Sequence, residues 1–310
     1  MTLDGYGVSP TLTQHEVPTP GPNQVLVRVR ATSVNPIDWK QASGKVRPIL
    51  TARFPGFVPG YDLAGEVESV GPGVTTFTKG QRVHTRLSGR EGGANAELVL
   101  AGLDVLQPIP ERMDFAQAAG LPLAGMTALQ GLRDGLLLPL SGATQRVLIV
   151  GASGGVGHLA VQIARSTGAT VVGVCSARNA ELVRRLGAHD VVDYAKSDAF
   201  ADQAPFAAIY DCVGSSPGDF LSRLTPEGRF ASCMPGPAVF GHAALNLVRG
   251  KKVVPVILKP IAADLGVLDA LVAKGSLEVV IDSRFPLAEL GAAWARSMSG
   301  RVAGKVIVEV

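Results

Sequence analysis

The stretch RVLIVGASGGVGHLAVQIARSTG, residues 146–168, constrains this chain more than any other. An apolar β-like run meets four glycines, Gly151, Gly154, Gly155 and Gly157, and a helical pattern follows. Such a junction demands a tight turn, a backbone that a ligand can approach without a Cβ in the way, and a helix packed close to its strand. The G-x-G-x-x-G spacing falls on Ala152, Gly154 and Gly157, so alanine replaces the first glycine. Amides at the helix start, with the helix dipole behind them, suit a dinucleotide pyrophosphate. The loop Ala152, Ser153, Gly154, Gly155, Val156, Gly157 is therefore read as cofactor-binding. Two other readings exist. One is a glycine turn used only for packing. The other is a nucleophile elbow, G-x-S-x-G, centred on Ser153 between Gly151 and Gly155. The additional Gly154 and Gly157, and the lack of a convincing late His–acid pair, favour the cofactor loop.

Around this junction the pattern alternates. VLIV, ATVVGVC, VVDY, AAIYDC, RFASC and KKVVPVIL read as strands, with helices such as VGHLAVQIARSTG and AELVRRLG between some of them. That alternation argues a doubly wound parallel sheet. Before it, QVLVRVRA (24–31), AGEVESV (64–70), RVHTRL (82–87) and NAELVL (95–100) alternate as half-buried strands, separated by turn signals such as PTPGPN. MDFAQAAGLPLAGMTALQGL (113–132) has helical spacing, with Asp114 placed to cap it. After it, from about residue 261, come a helix, the strand EVVID (278–282), a second helix and the strand GKVIVEV (304–310). Whether these last strands return to the first domain is not fixed by spacing.

A chain of 310 residues suggests two domains. Net charge is +3, from 29 basic and 26 acidic residues, too balanced for a nucleic-acid binder. Arg249, Lys251 and Lys252 are the nearest basic group and read as a solvated loop. MTLDGYGVSP lacks the marks of a signal peptide, and no apolar run reaches the ~18 residues of a membrane span. Cys175, Cys212 and Cys233 are scattered, without C-x-x-C spacing, which fits a reducing, cytoplasmic setting.

The cofactor type is read from the strand after the glycine loop. A site for NAD usually has a carboxylate there, ~20 residues on, for the ribose 2′-hydroxyl. Here the strand runs into SARN, with no acid before Glu181. Ser176 and Arg178 stand where a 2′-phosphate would lie, and Tyr194 can assist, so NADPH is expected. The alternative is that Arg178 is simply a solvated residue at a helix start. Tyr-x-x-x-Lys chemistry has no residues: Tyr6, Tyr61, Tyr194 and Tyr210 are followed four positions on by Pro10, Gly65, Asp198 and Gly214. Zinc needs three or four clustered ligands, but His15, His84, His158, His189 and His242 are dispersed and no cysteine lies in the first domain.

Six ordered motifs carry a family likeness: ATSVNPIDWK (31–40), PGYDLAGEVESVGPGV (59–74), LPLAGMTALQGL (121–132), GASGGVG (151–157), LGAHDVVDY (186–194) and GKVIVEV (304–310). Together they resemble the medium-chain dehydrogenase/reductase superfamily, in its zinc-free quinone oxidoreductase branch. Within that branch the NPIDWK segment and the VIDS…WARS…GKVIVE tail are most similar to the chloroplast-envelope homologues. Zinc-dependent relatives carry Cys near position 35 and Gly-His-Glu near 60–62; this chain has Asn35 and Gly60-Tyr61-Asp62.

The resemblance implies a GroES-like, β-rich catalytic domain from residues 1–118 and 261–310. A Rossmann domain from 119–260 binds NADPH, and the active cleft lies between the two. It implies hydride transfer to a quinone or to the β-carbon of an α,β-unsaturated ketone or aldehyde, in a homodimer. Some superfamily members are non-catalytic NADPH-binding proteins, and that alternative stays open. By resemblance Asn35 and Asp38 seat the nicotinamide ribose or substrate, and Thr127 lies near the nicotinamide. Lys40 can polarise a carbonyl, and Tyr61 can donate a hydrogen bond or a proton, although a core tyrosine would look the same. Cys212, Val213, Gly214 and Met234 follow parallel strands, where backbone contacts to the cofactor are expected. Lys305, with Arg301 before it, reaches the cofactor or is surface charge. Trp39 and Phe54 are pocket walls or ordinary core.

Overall fold

The computed structural model describes residues 1–47, 49–89, 92–139, 141–196, 200, 203–249 and 252–310. Lys251 and the side chain of Arg249, two of the three residues in the basic group, lie outside the described residues. In chain order the elements begin with β1 (Gln24–Val34), α1 (Pro36–Ala42), β2 (Asp62–Val70), β3 (Arg82–Arg86), β4 (Leu98–Gly102) and β5 (Gln107–Pro108). Then come α2 (Phe115–Gly120), α3 (Pro122–Gln130), a π-helical turn (Gly131–Gly135), β6 (Arg146–Val150), α4 (Gly157–Ser166), β7 (Thr170–Cys175) and α5 (Ala180–Arg185). The rest are β8 (Asp190–Asp193), β9 (Phe206–Asp211), β10 (Leu224–Ser232), α6 (Pro237–Arg249), β11 (Lys252–Pro255), α7 (Ala262–Ala273), β12 (Ile281–Pro286), α8 (Leu290–Met298) and β13 (Lys305–Glu309). They divide into two compact units: Met1–Ala124 with Pro260–Val310, and Gly125–Lys259.

The first unit is built on a seven-stranded sheet, ordered β12-β13-β1-β2-β3-β5, with β4 also paired to β1. The alternation in QVLVRVRA puts Val25, Val27 and Val29 inside, against Leu63, Val67, Val83 and Val99. A second core gathers Val34, Phe57, Leu290, Trp294, Val306 and Val308. The strands after residue 261 join this sheet. β13 runs antiparallel to β1, with Ala31 opposite Glu309 and Val34 opposite Val306, and β12 runs parallel to β13. The strand expected over EVVID is displaced: β12 begins at Ile281, while Leu277 and Val279 are buried by side-chain packing outside the ladder. The single helical stretch expected from 113 is broken as well. Asp114 caps α2, its carboxylate accepting from the Gln117 N–H at 2.7 Å, but Pro122, which has no N–H to give, opens a separate α3.

The second unit carries a six-stranded parallel sheet, ordered β11-β10-β9-β6-β7-β8. Leu148, Val150, Val172, Val174, Phe206, Ile209 and Phe230 form its core. Near-continuous apolar strands are what a parallel sheet covered on both faces requires. The strand expected over KKVVPVIL stops at Pro255, on the edge strand β11, with one last bond from the Val256 N–H to the Ser232 carbonyl at 2.8 Å. The strand order reverses between β6 and β9, and ligands of such sheets sit at the carboxyl ends of the strands beside that reversal. No helix among the described residues is long and apolar enough to cross a membrane.

Tyr210 on β9 is fully buried and donates its hydroxyl to the Thr127 carbonyl at 2.7 Å. The π-turn brings Gly131 against the Tyr210 ring, so that a Cβ there would collide with it. Gly131→Ala should therefore overpack this contact and cost about 1–3 kcal/mol, seen as a lowered thermal unfolding midpoint; an unchanged midpoint would contradict this packing.

Candidate functional site

The second unit aligns most of the expected cofactor residues on one sheet edge. Val150 pairs with Val174 on one side and Asp211 on the other; Asp211 pairs with Ser232, and Cys175 with Asp193. The segments after β6, β7, β8, β9 and β10 therefore leave the sheet side by side. Gly151 turns the chain with φ +79°, a conformation costly to any residue with a Cβ. The N–H groups of Gly151 and Ala152 both donate to the Val174 carbonyl, at 3.0 and 2.9 Å. Gly157 opens α4 so close to Gly151 that a Cβ would strike the Gly151 carbonyl, and a Cβ at Gly154 would meet only that same oxygen, at 3.3 Å. The close helix–strand approach is thus made by Gly157 and the turn by Gly151, which is why Ala152 is tolerated at the first fingerprint position. The amides of Gly155, Val156 and Gly157 belong to the helix start, where backbone donors lack helical partners. This cradle fits a pyrophosphate.

Ser176 follows β7, half-buried, and Arg178 is exposed in the next short turn. Tyr194 follows β8 and is 66% exposed. Cys212 is half-buried and Val213 and Gly214 are exposed, with Met234 beyond β10 half-buried. Two residues that sequence reasoning passed over organise this edge. Asp211, wholly buried, accepts from the N–H groups of Val213, Gly214 and Ser215 at 3.0–3.2 Å and from the Ser232 hydroxyl at 2.7 Å. It fixes the loop carrying Cys212–Gly214 and ties it to β10. Asn179 donates to the Ser153 hydroxyl at 2.9 Å and links the glycine loop to the Ser176–Arg178 turn. An acid at a parallel-strand end, with Gly214 three residues on, was the available signal for Asp211.

The first unit brings together Asn35, Asp38 and Lys305, and adds Asp62. Asn35, Asp38, Asp62 and Lys305 are 2%, 1%, 0% and 3% exposed, so Lys305 is not surface charge. The Lys305 ammonium donates to Asn35 Oδ1 at 2.6 Å and to the Val34 carbonyl at 3.4 Å, and lies 3.9 Å from Asp62. Asn35 Nδ2 donates to Asp62 Oδ2 at 2.8 Å. Asp62 also accepts from the Ser33 hydroxyl at 2.8 Å and the Leu123 N–H at 2.9 Å. Asp38 Oδ2 accepts from the Asn35 N–H at 2.7 Å, while its Oδ1 is buried with no partner among the described residues. Burial pushes the Asp38 carboxyl up to about 7; the Asn35 N–H pulls against it, Asp62 reinforces it, and Lys305 and Arg86 oppose it. Burial also raises Asp62, against Lys305, Asn35, Ser33 and the Leu123 amide. Lys305 is lowered by burial, against both acids.

Lys40 and Tyr61 stand apart from this cluster. Lys40 lies over the Trp39 ring, 5.5 Å from its centroid. Tyr61 is fully buried, and its hydroxyl donates to Gln41 at 2.8 Å beneath the Arg86 guanidinium. Trp39 donates its indole N–H to Ser297 at 3.2 Å, and Phe54 packs edge-on against Tyr6. Both are partly buried and pack against the second core of the first unit. Thr127, in the second unit, is buried.

Family models match this chain in two stretches: an alcohol dehydrogenase GroES-like domain over residues 21–111 and a zinc-binding dehydrogenase over residues 186–308. The chloroplast envelope quinone oxidoreductase homolog of Arabidopsis thaliana is 41% identical over 96% of this chain and 92% of its own length. The NADPH-dependent alkenal/one oxidoreductase of the same plant, a chloroplastic protein, is 31% identical over 94% of this chain and 73% of its own. Among solved structures, the quinone oxidoreductase from Coxiella burnetii superposes with a TM-score of 0.87 at 30% identity, over 100% of this chain and 98% of that one. The chain belongs to the medium-chain dehydrogenase/reductase superfamily. It falls among the quinone oxidoreductase members of these pyridine-nucleotide-dependent oxidoreductases.

The zinc in one family description does not fit the donors of this chain. Among the described residues no three His, Cys, Asp or Glu side chains converge on a point. At the positions that ligate in zinc-dependent relatives, Asn35 spends its amide on Lys305 and Asp62, Tyr61 spends its hydroxyl on Gln41, and a cation already faces Asp62. His84 turns its ring to the Ala118 carbonyl and to Asp269.

Asp38 sets a pH dependence of stability. Its folded value of about 7 lies above the unfolded value near 3.9. Stability from the protonated group is complete below the unfolded value and is lost as pH rises through about 7. Relative to Asp38→Asn, the native protein should lose about 2–3 kcal/mol between about pH 5 and about pH 8. Parallel stability curves for the two proteins in denaturant titrations would refute this.

Proposed function

We propose that this chain is an NADPH-dependent, zinc-independent reductase. It passes hydride to quinones or to the β-carbon of α,β-unsaturated ketones and aldehydes. The observation that carries the cofactor choice is the end of β7, where Ser176 and Arg178 replace the carboxylate expected for a ribose 2′-hydroxyl. In this reading the Ala152–Gly157 loop holds the pyrophosphate, and Ser176, Arg178 and Tyr194 hold the 2′-phosphate. The Asp211-fixed loop Cys212–Gly214, with Met234, offers backbone groups to the nicotinamide half. NADPH supplies the hydride when bound. Asn35, held in place by the Lys305 ammonium and Asp62, lines the acceptor site together with Asp38. The quinone and alkenal acceptors are favoured by the names of the relatives above. We extend the proposal to a homodimer in a reducing cytoplasm, which light scattering and cell fractionation check.

The direct test is a panel of quinones, enals and enones with NADPH, followed by loss of reduced-nicotinamide absorbance. Turnover of at least one class is expected. Binding of NADPH without turnover across the panel would instead mark a non-catalytic binding protein. For the cofactor, Arg178→Ala should lower kcat/KM for NADPH about ten- to hundredfold and leave NADH nearly unchanged, as expected for one charge-assisted contact. Equal losses with both cofactors would remove the 2′-phosphate assignment.

A further inference from the structure

Two carboxyl groups are buried within a few residues' reach of each other in the first unit, and their surroundings differ in kind. Asp62 is enclosed by donors: the Ser33 hydroxyl and Asn35 amide on Oδ2, the Leu123 N–H on Oδ1, and the Lys305 ammonium at 3.9 Å. Among the described residues Asp38 has one donor, the Asn35 N–H on Oδ2, and an Oδ1 without a partner, on a side chain only 1% exposed. An ionised carboxylate with one oxygen bare in the interior bears an unrecovered desolvation cost. A carboxylic acid places its proton on that oxygen and then presents a donor. Asp62, facing the ammonium, is the group fitted to carry the negative charge; Asp38 is the group fitted to keep its proton. Pairs of acids driven apart in this way divide into a fixed anion and a proton carrier. The charged groups that face Asp38 are Asp62, Lys305 and Arg86. Burial and the Asp62 charge hold its proton, while the Asn35 N–H, Lys305 and Arg86 loosen it, and the balance lies at about 7.

We propose that Asp38 is the proton donor of the reduction, delivering from Oδ1 the proton that accompanies the hydride. This rests on the reductase reading above. The acceptor takes a hydride with its electron pair from the reduced dinucleotide, forming a new C–H bond. For an enone, the C=C π pair moves toward the carbonyl and leaves an enolate. The Asp38 O–H bond then breaks, its proton goes to the enolate, and water reprotonates the carboxylate. A quinone takes the same hydride and proton to become the hydroquinone. Asp62 keeps its hydrogen bonds to Ser33, Asn35 and Leu123 and its place beside Lys305 throughout.

The test has two arms. In the first, infrared spectra of the cofactor-free protein are recorded against pH. The carbonyl stretch of a protonated carboxylic acid should fade with a midpoint near 7, be absent from Asp38→Asn, and move to lower pH in Asp62→Asn, because the Asp62 charge helps to retain the Asp38 proton. In the second, kcat is followed against pH with saturating NADPH and a quinone or enal. It should fall as pH rises above about 7. Asp38→Asn should lower kcat about a hundredfold, abolish that limb, and leave the NADPH dissociation constant unchanged. Turnover with an unaltered pH limb in Asp38→Asn, or weakened NADPH binding as the main defect, would overturn the donor role alone. A titrating Asp38 band with no turnover of any acceptor would overturn the reductase reading and the donor role with it. If Asp38→Asn does not fold, the wild-type band and its displacement in Asp62→Asn decide: no titrating band, or no displacement, overturns the assignment.

Discussion

The first unit depends on one buried cation. Lys305 opens β13, Asn35 caps α1 just after β1, and Asp62 opens β2, so the ammonium and its partners join segments 270 residues apart in sequence. A lone buried ammonium would be prohibitively costly, and a lone buried carboxylate equally so. Each is tolerated because the other is present and because Asn35 bridges them, accepting from one and donating to the other. Removing one partner of such a set costs far more than the set contributes, since it strands the other charge in the interior. The cluster is therefore better understood as a specification of register than as a source of stability. It requires Val306 to lie opposite Val34 and Asp62 opposite Ser33, and it keeps these polar atoms at a fixed place.

The second unit is governed by a different constraint, close approach of backbone to backbone. Gly157 must let α4 lie against the Gly151 carbonyl, and Gly173 on β7 would otherwise strike Val183. Small residues at these contacts draw helices onto the sheet and leave the first-turn amides of α4 facing outward at the strand ends. Asp211 performs the complementary task with charge. By accepting from three successive amides it holds the next loop open in one conformation. Apolar packing sets where the edge is, and a few hydrogen bonds set its detailed shape.

How much of this was legible follows from which forces act locally. The parallel sheet, the glycine turn and the Asp114 cap are written in short-range patterns, and the strand–helix alternation of 146–255 carries them plainly. The break at Pro122 and the displaced β12 were not legible, because helical spacing continues through LPLAG and apolar content continues through LEVV; only tertiary packing decides between ladder and side-chain burial there. Asn35 and Asp38 could be picked out by resemblance, yet their relation to Lys305 depends on pairing across the whole chain. Lys305 read equally well as surface charge, since nothing in GKVIVEV announces burial. Asp62 was visible only as a difference from zinc-dependent relatives, and its partners come from β1, α3 and β13, which no local window contains.

The substitution of an ammonium for a metal's place in the charge balance also limits what the site can do. A metal accepts lone pairs, polarises a bound oxygen and acidifies bound water. Lys305 can do none of these: it offers three N–H donors, and they are directed to the Val34 carbonyl, to Asn35 and toward Asp62. What remains available is electrostatic bias, hydrogen bonding and proton transfer. Two-electron reduction of a conjugated acceptor needs no more than these from the protein, because the acceptor's own π system takes the electron pair.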